Sequence, residues 1–180
     1  MISFGIQDGI VAPRTSALVY GTAVNVPHIQ MMNVTARVQS AEGTGDDRIV
    51  VVASRLIAGS AQVRMQGVSL EVLEVVLGLT LIEIGSGDTL KTTLPLSAGH
   101  RLPWFGMAGQ GLEEEGNGDV LIYAPKAKVA SDISLGTLEY GTLSSIEFTA
   151  TLLGEGDYDI IDLQHRATVG ALAIPIGGMA

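Results

Sequence analysis

Polar and apolar residues alternate most regularly from Leu143 to Leu153, where Ile146, Phe148, Ala150 and Leu152 fall on one side and Ser145, Glu147, Thr149 and Thr151 on the other. A period of two sends successive side chains to opposite faces of a strand, so this segment predicts a strand with one buried face. Within the run from Ile29 to Ser40, Val34, Ala36 and Val38 alternate with Thr35, Arg37 and Gln39. The pattern recurs where Ala61, Val63 and Met65 alternate with Gln62, Arg64 and Gln66. Between these two strands lie a string of turn formers from Glu42 to Asp47 and an apolar run, Arg48 to Leu56, flanked by arginines.

The period then changes. Leu70, Leu73, Val76 and Leu77 recur at helical spacing, Ser69 precedes them as an N-cap, and Gly78 follows as a C-terminal stop. Glu71 and Glu74 fall on the other face. A helix this short cannot bury its apolar stripe alone, so it is expected to pack on the flank of the sheets. Further strands are predicted over Leu79 to Ile84, Leu90 to Leu96 and Asp119 to Ala130, with Leu112 to Gly118 as a loop. Residues Met1 to Pro27 contain Pro13, Gly21 and Pro27 without clear periodicity and read as an extended arm with one short strand. From Gly154 the chain turns acidic and irregular, which reads as a second arm.

With 23 glycines spread among short Val-, Ile-, Leu- and Thr-rich runs, the 180 residues read as a mainly β fold. The expected architecture is a single domain, 1–180, built as a β-sandwich or distorted barrel with one short flanking α-helix. Its parts are an N-terminal arm over 1–27, a β core over 28–153 with the helix at 69–78, and a C-terminal arm over 154–180.

Charged residues make up 16% of the chain, against about 25% in a typical soluble domain, which predicts that part of the surface is covered by other copies of the chain. Net charge is −9, yet the segment before residue 68 holds five arginines against Asp8, Glu42, Asp46 and Asp47 and is near neutral. A chain this acidic is not expected to wrap nucleic acid, which requires clustered Lys and Arg, but suits a surface that DNA passes without sticking. There is no cysteine, hence no disulfide framework or thiolate metal site. Met1 to Ile10 lacks the basic start and apolar run of a signal peptide, and the apolar windows near Val68 to Ile84 are interrupted by Glu71, Glu74, Gly78 and Glu83. Synthesis in the cytosol without membrane insertion is the expectation.

Candidate chemistry is sparse. His28, His100 and His165 are far apart and none has a second His at i+2 to i+4, which argues against zinc. The acidic segment Asp157 to Asp162 lacks the central glycine and terminal glutamate of a helix-loop-helix calcium site. Glu113, Glu114 and Glu115 read as a solvated turn, or as a partner for Lys126, Lys128 or Arg166 of a neighbouring copy. No nucleophile elbow or phosphate loop occurs, and no acid, base and nucleophile set emerges, so neither an enzyme nor a cofactor is expected.

Several short motifs fall in a definite order. Phe4-Gly5-Ile6-Gln7-Asp8 with Val11-Ala12-Pro13 is followed by Gly21-Thr22-Ala23-Val24-Asn25-Val26-Pro27, Gly45-Asp46-Asp47-Arg48, and Gly67-Val68-Ser69-Leu70-Glu71-Val72-Leu73. Leu102-Pro103-Trp104-Phe105-Gly106, Asp119-Val120-Leu121-Ile122-Tyr123-Ala124-Pro125-Lys126-Ala127 and Tyr140-Gly141-Thr142-Leu143 complete the series. In order and spacing, the chain from about Phe4 to Leu153 resembles the tail tube, or major tail, protein of siphophage-like tails. The resemblance implies a structural virion protein whose hexameric rings stack into the tail tube, the conduit for DNA, with extended loops and arms between rings. It also implies assembly in the host cytoplasm, residence in the virion tail, and tape-measure and terminator or baseplate proteins as partners, with DNA passing through without specific binding.

On that resemblance the lumen-facing candidates are Thr35, Arg37, Gln39, Gln62, Arg64, Gln66, Ser145, Glu147, Thr149 and Thr151. The ring-stacking loop is assigned to Glu42, Asp46, Asp47 and Arg48, whose charges can make charge-assisted contacts with a neighbour. Two alternatives are a tube protein of a contractile, secretion or gene-transfer particle, and a monomeric β-sandwich binding module.

Overall fold

The computed structural model describes residues 3–45, 48–113, 118–135, 144–154 and 160–174. It is mainly β, in keeping with a β-sandwich or distorted barrel that carries one short helix. In chain order the strands are β1 (Ser3–Ser16), β2 (Val19–Tyr20), β3 (Val24–Asn25), β4 (Ile29–Gly45) and β5 (Arg48–Gln66). After α1 (Leu70–Leu77) come β6 (Ile82–Ile84), β7 (Lys91–Thr93), β8 (Phe105–Glu113), β9 (Asp119–Val129), β10 (Ser145–Leu152) and β11 (Asp162–Arg166). The large sheet runs β2-β1-β8-β9-β10-β5-β4, with β3 also on β1 and β11 also on β9, while β6 and β7 pair separately. All named strand pairs are antiparallel.

The clean alternation of the sequence is realised on β10. Ile146, Phe148, Ala150 and Leu152 are buried on one face and join Ala61, Val63 and Met65 of β5 in the core. Phe105 and Phe148 meet edge to face at the centre, with ring centroids 6.3 Å apart and planes at 75°. The helix closes this core more completely than its predicted stripe suggested, since Val72 and Val75 are buried along with Leu73, Val76 and Leu77. Its ends form as expected: the Ser69 side chain accepts a hydrogen bond from the Val72 N–H, and Gly78 adopts a left-handed φ of 66°. His100 Nε2 lies 2.9 Å from the Leu77 carbonyl oxygen and so serves that same helix end.

The sheet curls so that β4 packs over β1 and β8, with two tight approaches. A Cβ on Gly9 would lie 2.7 Å from Ile29 Cδ1, and one on Gly109 would lie 2.5 Å from Met32 Sδ. A side chain at either position would force the Ile29 or Met32 side chain to move aside.

Three expectations need correction. Residues 3–16 are not part of an arm: β1 is a 14-residue strand hydrogen-bonded to β8 on one side and to β2 and β3 on the other. The expected C-terminal arm likewise supplies β11, paired with β9 from Asp162↔Tyr123 to Arg166↔Asp119, and ends its described part with buried Ile174. The reason is common to both, because backbone pairing needs no alternating side-chain pattern and neither segment advertises one. Finally, Arg48–Gln66 is one 19-residue strand rather than two runs, kept in register with β4 by bulges.

Candidate functional site

The register of β4, β5 and β10 gathers the predicted polar residues on the face opposite the core. Thr35 lies across from Ser60, and Ser60 across from Thr151; Gln62 lies across from Thr149, Arg64 from Glu147, and Gln66 from Ser145. Side-chain bonds knit the strands together. Thr35 and Ser60 hydroxyls are 2.7 Å apart, and Gln62 Nε2 donates to Glu147 Oε1 at 2.5 Å. Further out, Arg55 donates to Gln39 Oε1 at 3.2 Å, and Gln30 donates to Gln66 at 3.3 Å. Arg37, across from Ala58, completes the set of ten.

Sequence reasoning left this face too narrow. Lys128 of β9 lies across from Thr151, and both Lys126 and Lys128 hold their ammonium groups over Trp104, 5.1 and 5.3 Å from the ring centroid. The spacing of Lys126 and Lys128 on a predicted strand was the available signal, since residues two apart share a face.

Beyond Arg37 the β4–β5 hairpin leaves the sheet as a ribbon whose strands pair only with each other among the described residues, from Val38↔Leu56 to Gly45↔Arg48. Val38, Leu56 and Ile57 are exposed there, at 59%, 50% and 37%. Of the predicted stacking loop, Glu42 is exposed on this ribbon; Asp46 and Asp47 lie outside the described residues, as does the side chain of Arg48. A second excursion, β6–β7 with its flanking turns, exposes Ile82, Ile84, Leu90 and Leu96. At the sheet margin, β4 has no strand beyond it among the described residues. Long strands with an open edge and projecting apolar ribbons call for covering partners.

A polar cluster fixes the C-terminal segment on the same sheet. The buried Asp119 carboxylate accepts from Arg166 Nε at 2.7 Å and from Arg166 Nη2, from Gln110 Nε2 at 2.5 Å, and from the Gly170 N–H at 3.2 Å. The Arg166 bonds, opposed by burial and helped by Gly170 and Gln110, lower the Asp119 pKa to about 2. Arg166 also donates to the Gly170 and Ala171 carbonyls, so its guanidinium is committed within its own subunit rather than to a neighbour's glutamates. Nearby, the Tyr123 hydroxyl donates to Tyr20, which donates to the Pro125 carbonyl at 2.8 Å; burial pushes the Tyr123 pKa up.

The histidines occupy separate places: His28 is exposed with a φ of 49°, His100 serves the helix end, and His165 is exposed on β11. Among the described residues, no group of three His, Asp or Glu is placed to hold a metal ion, and no helix is long and apolar enough to cross a membrane. No family model and no curated protein sequence matches the chain.

Proposed function

We propose that this chain is a structural, non-enzymatic subunit that self-assembles into stacked hexameric rings forming a phage tail tube, the conduit for DNA delivery. The observation that carries the reading is one curled sheet with a continuous polar face, a β4 edge with no strand beyond it among the described residues, and a β4–β5 ribbon with exposed Val38, Leu56 and Ile57. A polar face opposite a packed core suits a wall that meets water on one side. An open edge suits head-to-tail pairing with the next copy, and a heterologous contact of that kind closes into a ring when its rotation permits. The ribbon reaches past the sheet and is suited to contact an adjacent ring.

The sixfold number, and the tape-measure and terminator or baseplate partners, rest on the motif resemblance alone. In this reading Thr35, Arg37, Gln39, Gln62, Arg64, Gln66, Ser145, Glu147, Thr149 and Thr151 line the lumen. Negative-stain microscopy of the purified full chain tests the proposal. Hollow tubes or six-fold rings are expected, and a strictly monomeric protein at high concentration overturns it.

A further inference from the structure

A bulge at the start of β4 turns Ile29 and Met32 to the same face. Ile29 lies across from Met65 and Met32 across from Val63, and Met65 and Val63 share the core face of β5, so both β4 residues point inward despite their odd spacing. Met31, across from Arg64, falls on the polar side. Met32 packs against the main core, where a Cβ on Gly109 would lie 2.5 Å from its Sδ and 3.2 Å from Ile6 Cδ1. Its surroundings are not sealed. Half-buried Met32 lines a cleft of about 330 Å³ together with Ile6, Val120 and Ile122. Met65 and Met107, by contrast, are 0% and 2% exposed within the core.

We propose that Met32 is an oxidation site for hydroperoxides, and that its sulfoxide releases β4 from β8. The Sδ lone pair attacks one oxygen of hydrogen peroxide as the O–O bond breaks, so the thioether is oxidised by two electrons to the sulfoxide. The other oxygen takes the proton of the attacked hydroxyl and leaves as water.

A thioether is a polarisable, apolar contact for the Gly109 backbone and for Ile6, whereas a sulfoxide carries an acceptor oxygen that is costly to bury unpaired. Gln110 borders the cleft, but its amide already donates to Asp119 and to the Gly170 carbonyl. The new oxygen therefore gains partners by turning out to water, which draws Met32 off Gly109. That contact is one of the two tight approaches of β4 to the strands beneath it, so its loss loosens the curl. Oxidation of Met31, on the other side of β4, leaves the contact in place. Reduction of the sulfoxide by a methionine sulfoxide reductase restores the thioether and makes the change reversible.

The test treats the unassembled full chain with graded hydrogen peroxide and follows each methionine by mass spectrometry as it gains one oxygen. Met32 is expected to convert before Met65 and Met107, and the urea midpoint to fall by about 0.5 M or more as it does. Amide hydrogen exchange is expected to quicken in residues 29–34 and 106–111, the segments of β4 and β8 that meet at this contact. Met31→Leu leaves the fall in midpoint intact, whereas Met32→Leu, a swap of similar volume that cores tolerate, abolishes it.

Conversion of Met32 no faster than that of Met65 and Met107, full conversion with an unchanged midpoint, or an equal fall in Met32→Leu overturns the proposal. A midpoint that stays low after the reductase has removed the sulfoxide assigns the loss to other damage and overturns it as well.

Discussion

Asp119 shows how one carboxylate holds a terminal segment that the sequence presents as irregular. Sealed from water, it receives Arg166 from β11, Gln110 from β8 and the Gly170 N–H. Its pKa of about 2 in the folded chain lies below the ordinary 3.8. A depressed folded pKa contributes stability that is present above the unfolded value and is lost as pH falls through the folded one. The wild-type chain is therefore expected to lose stability between about pH 4 and pH 2, followed by urea midpoints across that range. Asp119→Asn removes this component, so the variant is expected to be less stable than wild type near neutrality and to lose less stability between about pH 4 and pH 2. An unchanged acid profile in the variant would assign the loss to other groups.

Among the elements, the β4–β5 hairpin was legible in part. Alternation marked the sheet halves of both strands, and Glu42 to Asp47 marked the turn, because turn residues and period two act locally. That the strands continue past the sheet as a ribbon was not legible, since bulges and pairing partners are set between segments distant in the chain. Replacing Asp46 and Asp47 together with Ala is expected to shorten tubes or abolish their growth while leaving the thermal midpoint within about 2 °C of wild type. Tube length distributions by microscopy and a melting curve check both halves, and unchanged tube length rejects this loop as a stacking contact. The helix was more readable: Ser69 and Gly78 cap it where their residue types predict, yet burial of Val72 and Val75 required knowing that the sheet curls beneath it.

At the scale of the whole molecule, curling is the decisive event, and glycines stand at two of its closest approaches. Gly9 lets Ile29 approach β1, and Gly109 lets Met32 lie on β8. Gly9→Val would drive a branched side chain into Ile29 and Val26 and is expected to cost about 1–3 kcal/mol, read as a lowered urea midpoint. A neutral effect would show that β4 can lift from β1 at little cost. Curling also brings together groups that a linear reading keeps apart, such as Trp104 with Lys126 and Lys128.

By itself the sequence determined what local rules govern: a mainly β chain, three strands with a polar and an apolar face, one capped helix, and the absence of thiol chemistry. Those features follow from periodicity, capping and composition within short windows. Only the tertiary structure decided which polar faces join, that residues 3–16 and 162–166 belong to the sheet, and that Arg166 is spent on Asp119. Each of these depends on pairing between segments far apart in the chain, where backbone hydrogen bonds and close packing choose the partner and leave no periodic trace in either segment.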